Sequence, residues 1–295
     1  MNKAKRPEWL NKKISLKDCS HVKELLKDLR LHTVCEEALC PNMGECFGKR
    51  QATFIILGAI CTRACRFCGV AKGNPLFPDT DEPKRIVEAV KRMGLRHVVI
   101  TSVTRDDLPE GGAAAFAEII LRLRDELDGK VTVETLVPDF KSERGPLSIL
   151  ADARPDIFAH NIETVPGLYK ELRPVAASYG TSLGVLRNFK EFSSGALIKS
   201  GLMVGLGEAK DEVLEVFKDL FDAGCRLLSI GQYLAPSLNH YPVKEYISPE
   251  QFDYYRKEAE GMGFYHVESG PYVRSSYKAE DYLNDGRLQG RVSGL

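Results

Sequence analysis

The chain has 295 residues, with 41 Lys plus Arg balanced by 41 Asp plus Glu for a formal net charge of zero. That balance excludes a globally basic nucleic-acid-binding surface, and no apolar run reaches the length of a membrane span. The length suits a single α/β barrel-sized core.

Met1 to Leu10 is charged and lacks the apolar centre of a signal peptide, so a cytoplasmic protein is expected, with neither nucleic acid nor membrane as partner. In such a reducing compartment the eight cysteines are expected to be ligands rather than disulfides. Lys3, Lys5, Arg6, Lys12 and Lys13 make a basic arm around the single tryptophan, Trp9, which reads as a solvated tail. Val22, Leu25, Leu26 and Leu29 then fall at i, i+3, i+4 and i+7, which predicts an amphipathic helix from Ser20. A first cysteine triad follows, Cys35, Cys40 and Cys46, at C-x4-C-x5-C spacing.

From Ala52 onward strands and helices alternate. Strand-like runs occur at 52–58, 96–102, 130–136, 156–161, 197–204 and 226–231. The helical patterns between them stop at glycines such as Gly94, Gly129 and Gly224, and a last helix opens on Ser248-Pro-Glu-Gln251. Alternation of this kind predicts a parallel sheet. The expected fold is α/β, a partial (β/α)6 TIM-type barrel with a cysteine-rich N-terminal extension (1–51), a barrel (52–268) and a C-terminal segment (269–295). A doubly wound sheet is the alternative on periodicity alone. The polar, unusual residues cluster just after the strands, where α/β barrels build their sites.

The second triad, Cys61, Cys65 and Cys68, sits in one of those loops at C-x3-C-x2-C spacing. Three soft ligands without a fourth nearby suit a 4Fe–4S cluster with one open iron. A zinc knot completed by a distant ligand is the competing reading. The first triad is open between a second cluster and a structural metal. Cys19 and Cys225 belong to neither, and Cys225 reads as a small buried hydrophobe.

The x3-then-x2 spacing, with Phe67 before the last cysteine, resembles the radical S-adenosylmethionine (SAM) superfamily. Further stretches carry a narrower likeness: Arg6 to Leu10, Thr33 to Cys46, Thr101 to Gly112, Lys199 to Glu208, Ile230 to Ser237, His240 to Val243 and Val273 to Tyr277. Together they resemble the lipoyl synthase family over nearly the whole chain. Phe47, where the family is expected to hold tryptophan, and Ala59, where many members carry aspartate, depart from the pattern without touching a proposed ligand.

The resemblance implies two 4Fe–4S clusters and SAM. It implies sulfur insertion at carbons 6 and 8 of an octanoyl chain carried on a lysine of a lipoyl-carrier domain. Two unactivated C–H bonds need two radicals, hence two SAM molecules, and the auxiliary cluster is the sulfur source. Cys61, Cys65 and Cys68 are implied as ligands of the SAM cluster. Cys35, Cys40, Cys46 and Ser276 are implied for the auxiliary one, with Ser275 as a rival to Ser276. A hard alkoxide should release its iron more readily than a thiolate does. Phe67, Asn161, Glu163, Arg173, Met203 and Tyr233 are candidates to line SAM: Asn161 and Glu163 for the ribose, Arg173 for the carboxylate. The implied partners are octanoylated carrier domains (acyltransferase subunits of 2-oxoacid dehydrogenases and the glycine cleavage H protein), a low-potential electron donor and an iron–sulfur carrier. A biotin-synthase-like radical SAM enzyme and a metal-binding scaffold without turnover are the alternatives.

Overall fold

In the computed structural model, residues 6–11, 19–193 and 195–279 are described. Most of the basic arm at the N-terminus and the last part of the 269–295 segment lie outside the described residues. The helix expected from Ser20 is α1 (Ser20–Asp28), and its spaced Val22, Leu25 and Leu26 are buried. Then come β1 (His32–Thr33), α2 (Val34–Glu37) and α3 (Met43–Gly48). The Thr33 hydroxyl caps α2 by accepting from Glu36 N.

The alternation that follows is β2 (Thr53–Ile56), the short β3 (Ile60–Cys61) and β4 (Ala71–Lys72), α4 (Glu82–Met93), β5 (His97–Ser102), α5 (Ala113–Glu126), β6 (Thr132–Leu136), α6 (Arg144–Ala153) and β7 (Ile157–Ala159). It continues through α7 (Tyr169–Leu172), α8 (Tyr179–Phe192), β8 (Leu197–Val204), α9 (Lys210–Asp222), β9 (Leu227–Gln232), α10 (Pro249–Met262) and β10 (His266–Gly270). Gly94 stops α4 in the left-handed region at φ 66°, and the Ser248 hydroxyl caps α10 by accepting from Gln251 N.

The main sheet has eight strands in the order β1-β2-β5-β6-β7-β8-β9-β10. All neighbours run parallel except the short β1, which is antiparallel to β2. The six expected strands are β2 and β5 to β9. Strand order follows chain order without reversal, which is the progression of a barrel and not of a doubly wound sheet. β10 adds a seventh parallel strand and carries the sheet past residue 268. Its sequence, His266-Val-Glu-Ser-Gly270, buries only Val267, so it shows no apolar run.

Side chains alternate between two faces. Phe54, Ile56, Val98, Ile100, Val133, Phe158, Ile198 and Leu228 join the helices in the main core. On the opposite face Val99, Ile157, Leu197 and Leu227 pack with Ala279 from the C-terminal segment. A buried polar layer shares that inner face: Lys199 Nζ lies 2.7 Å from Glu134 Oε1, and both side chains are fully buried. His97 Nε2 stands 3.5 Å from the other Glu134 oxygen. Burial works against the Glu134 charge, and Lys199 and His97 outweigh it, holding the carboxyl below its usual range. No described helix is long and apolar enough to cross a membrane.

Candidate active site

Cys61 closes β3, and the pairing of Ile60 with Ala71 and Cys61 with Lys72 brings the two ends of the cysteine loop together. Arg63 N donates to the Cys61 sulfur at 3.4 Å. The loop is fastened from several sides: Thr62 N donates to Thr104 O, Arg66 N to Leu172 O, and Tyr241 N to Arg66 O. His240 Nε2 sits 3.1 Å from the Cys68 carbonyl oxygen.

Arg63, inside the C-x3-C, is buried and points away from the sulfurs. It donates through Nε and Nη2 to the two oxygens of Asp106, at 2.7 and 2.8 Å, and through Nη1 to Asp139 Oδ2 at 2.5 Å. The forked geometry suits guanidinium and ties the loop to the segments after β5 and β6. Arg173 Nη2 lies 3.8 Å from the same Asp139 oxygen. Burial opposes ionisation of Asp139, yet the Arg63 hydrogen bond holds its carboxyl below the usual carboxylate range. Burial opposes the Arg173 charge as well, and the attraction of Cys65 and Glu163 outweighs it.

Burial pushes the Cys65 thiol up to about 11, with Arg173 pulling the other way, and it also raises Cys68. Thiols in this setting ionise together only against a strong positive charge, which a metal supplies. The donor set therefore fits an iron–sulfur cluster.

The other triad is assembled from distant parts of the chain. Cys35, Cys40 and Cys46 line one cavity with Thr53, His97, Arg274, Ser276 and Ala279 among its walls. Cys40 N donates to Cys35 O at 3.0 Å and Cys46 N to Asn42 O at 2.9 Å, so the α2–α3 turn presents its three thiols together. The C-terminal segment is sewn to that turn and to the N-terminal stretch that ends at Asn11. Asn42 Nδ2 donates to Tyr272 O at 2.6 Å, Tyr277 Oη to Glu45 Oε1 at 3.2 Å, and Tyr272 Oη to Leu10 O at 2.5 Å. Gly231 is required here, because a Cβ at that position would come within 2.1 Å of the Val273 carbonyl oxygen.

Within the segment the two serines part company. Ser276 Oγ accepts from Thr53 Oγ1 at 2.6 Å and faces the cavity, whereas Ser275 Oγ donates to Asn161 Oδ1 at 3.0 Å. Burial pushes Cys35 up to about 12, and the nearby Cys40 and Cys46 add to the rise. Among the described residues no three His, Cys, Asp or Glu groups close around a single-ion point. The donors line a cavity instead, three thiols and one hydroxyl, which also fits a cluster.

A family model of the radical SAM superfamily matches residues 55–220. A lipoyl synthase of Geobacter metallireducens is 54% identical over 288 residues, covering 98% of this chain and 100% of that protein. The chain belongs to the lipoyl synthase family. A second lipoyl synthase, from Caldanaerobacter subterraneus subsp. tengcongensis, is 53% identical over 283 residues and covers 96% of this chain and 99% of its own. Methylornithine synthase superposes with a TM-score of 0.53 over 86% of this chain and 79% of that one, at 16% identity, which shows a shared fold. Membership in the lipoyl synthase family makes the chain a sulfur-inserting radical SAM enzyme of lipoyl cofactor biosynthesis, using SAM and two 4Fe–4S clusters.

The remaining candidates of this lipoyl synthase family member gather beside the Cys61–Cys68 loop. Phe67 and Met203 pack on a small cluster built from Leu172, Leu206, Tyr233 and Tyr241. Tyr233 is buried, and its hydroxyl donates to Tyr241 O at 2.7 Å. Glu163 holds φ at 69° and is bridged to β8 by Glu163 N to Gly201 O and Met203 N to Glu163 O. Burial raises its carboxyl, against Arg173 and a hydrogen bond from Asn161. Glu208, in the Gly205-x-x-Glu208 stretch, turns its carboxylate to its own loop and accepts from Gly205 N and Leu206 N. Sequence reading missed the roles of Arg63, Asp106 and Asp139. Arg63 stood in plain view between Cys61 and Cys65, and Asp106 within the Thr101 to Gly112 stretch, but nothing local announces their pairing.

Proposed function

We propose that Cys61, Cys65 and Cys68 hold the cluster that serves SAM, and that Cys35, Cys40, Cys46 and Ser276 hold the auxiliary cluster. When bound, these groups supply the reducing electron for SAM cleavage and the sulfur inserted at carbons 6 and 8 of a protein-bound octanoyl chain. The observation that carries the reading is the cavity in which three N-terminal thiols meet Ser276, about 230 residues further along the chain.

The chain's own residues divide the remaining work. Arg63, locked to Asp106 and Asp139, keeps the SAM loop in one conformation. Arg173 offers a buried positive charge beside Cys65 for the SAM carboxylate. Glu163 and Asn161 take the ribose hydroxyls in this reading, and Phe67, Met203 and Tyr233, which pack in one apolar cluster, serve the adenine. Thr53 and Asn161 separate the jobs of the two serines by engaging Ser276 and Ser275 respectively. The segments 1–51, 52–268 and 269–295 are functional divisions: the first and last bring the auxiliary donors together, and the middle one frames SAM while lending Thr53 and His97 to the auxiliary wall.

The substrates are octanoylated lipoyl-carrier domains, those of 2-oxoacid dehydrogenase acyltransferase subunits and the glycine cleavage H protein. A low-potential electron donor and an iron–sulfur carrier that renews the auxiliary cluster complete the partners, in the cytoplasm. The test incubates anaerobically reconstituted protein with SAM, a low-potential reductant and an octanoyl-lysine peptide, and reads the product by mass spectrometry. Two added sulfurs are expected. Formation of 5′-deoxyadenosine with no sulfur on the peptide overturns the reading in favour of a biotin-synthase-like relative.

A further inference from the structure

Large apolar side chains standing out in water are distributed unevenly over the described surface. Leu121 and Phe192 lie on the outer helices α5 and α8, and Phe192 is partly covered by the Arg144 guanidinium at 4.5 Å from its ring. The other five, Leu39, Leu76, Phe77, Val175 and Leu238, stand on loops that carry or adjoin site residues. Scattered exposed leucines need no explanation. Five gathered on the loops of one site do.

These loops are held, not loose. Leu39 is 70% exposed, directly precedes Cys40 and keeps φ at 52°, a left-handed conformation that a leucine rarely adopts. Leu76 and Phe77, the latter 95% exposed, are anchored by Arg105, a buried side chain whose Nη2 donates to Leu76 O at 3.0 Å. Leu238, 88% exposed, tips a turn in which Asn239 N donates to Ser237 Oγ at 3.2 Å and Ser237 Oγ lies 2.8 Å from His240 Nδ1. The far nitrogen of that ring reaches the Cys68 carbonyl. With Nε2–H donating there, Nδ1 accepts from Ser237, so one tautomer satisfies both bonds.

The loops also converge. A Cβ at Gly69 would lie 3.2 Å from Pro236 Cβ and 3.7 Å from Ala38 O. The Cys35–Cys40 turn, the Cys61–Cys68 loop and the Leu238 turn therefore meet at Gly69, and Leu39 and Leu238 flank the seam between the two triads.

We infer that this apolar rim is the docking surface for the folded carrier domain that bears the octanoyl-lysine arm. The inference rests on the functional reading above. That substrate is tethered, so its carrier must seat within one lysine arm of the seam, and the rim is the apolar surface beside it. Loops already held by such bonds lose little backbone freedom on binding, so more of the energy of burying their exposed aromatic and aliphatic side chains goes into affinity. A second copy of the chain on this face would close the approach that the tethered substrate needs.

The test uses the full reconstituted chain with Phe77→Ser and Leu238→Ser, singly and together, on two substrates: an octanoylated carrier domain and a short octanoyl-lysine peptide. For the double variant the KM for the carrier domain should rise about tenfold or more, with kcat and KM for the peptide held within about twofold. Calorimetric binding of the carrier domain should weaken in parallel, a readout independent of turnover. An unchanged carrier KM and affinity overturns the proposal, as does equal loss on both substrates. So does a wild-type dimer in sedimentation that the double variant dissolves, since the rim would then belong to a second copy. Wild-type protein that adds sulfur to neither substrate overturns the functional reading instead, and calorimetry still decides whether the rim binds the carrier domain.

Discussion

Cys61, Cys65 and Cys68 sit in one loop clipped by a two-stranded sheet of its own, whereas Cys35, Cys40 and Cys46 need Ser276 from the far end of the chain to complete their cavity. The first site is local, and its outer support comes from single backbone bonds together with the Arg63 bonds to Asp106 and Asp139. The second is made by the C-terminal segment, which runs from the end of β10 along the inner face of the sheet and fastens to the α2–α3 turn. Loop-closure entropy separates the two cases. A motif of eight residues orders itself at small cost, while a site joined across more than 200 residues exists only once the barrel has formed.

The contrast implies independent sites, and removing one thiol from each tests that most severely. Cys68→Ala should abolish SAM cleavage and halve the iron from about eight to about four per chain. Cys40→Ala should lose the same amount of iron but still yield 5′-deoxyadenosine. Loss of cleavage in both variants would show the sites to be one cooperative unit. Next in size, Asp139→Asn removes the shared partner of Arg63 and Arg173. It should slow SAM cleavage about a hundredfold through misplacement of the loop and destabilise the fold by about 3 kcal/mol as read by chemical denaturation. Unchanged auxiliary iron in that variant would sharpen the division between the two regions.

Ser276→Cys probes the second region alone. The soft ligand should keep both clusters, with iron and sulfide content as in wild type, and lower lipoyl formation about tenfold while 5′-deoxyadenosine production stands. An unchanged lipoylation rate removes the argument for a hydroxyl ligand. The smallest effect is on pH. His160 is buried near Arg173, Asp139 and Arg63, and desolvation lowers it from 6.5 to about 4, with its Nδ1–H donating to Val137 O. Its folded value is depressed, so between those two values the unfolded chain binds more protons. Stability of the metal-free protein should be full above pH 6.5 and fall by about 1–3 kcal/mol as pH drops towards 4. His160→Gln should flatten that part of the denaturation profile, and an unaltered slope counts against it.

Much of this arrangement was legible beforehand. β2 and β5 to β9 announce themselves as apolar runs between capped helices, and Cys61, Cys65 and Cys68 by spacing, because both signals are short-range; the two-residue β3 and β4 carry no such pattern. β10 escaped notice because four of its five residues are not buried, and a half-wet edge strand carries no pattern. Asp139 and Arg63 escaped for a different reason: their pairing spans 76 positions and neither has a neighbour that points to the other.

By itself, then, the sequence determined the local chemistry, namely which turns present thiols, which segments alternate, where helices stop, and the family likeness carried by short motifs. The tertiary structure alone decided what meets what. It put Ser276 rather than Ser275 in the cysteine cavity, set Asp139 between two arginines, buried Lys199 against Glu134 inside the sheet, and brought the loops of both triads together at Gly69. The reason is physical. Periodicity and spacing encode the contacts a residue makes within a few positions of itself, while pairings between distant charges, hydroxyls and carbonyls are chosen by the curvature of the sheet that carries them.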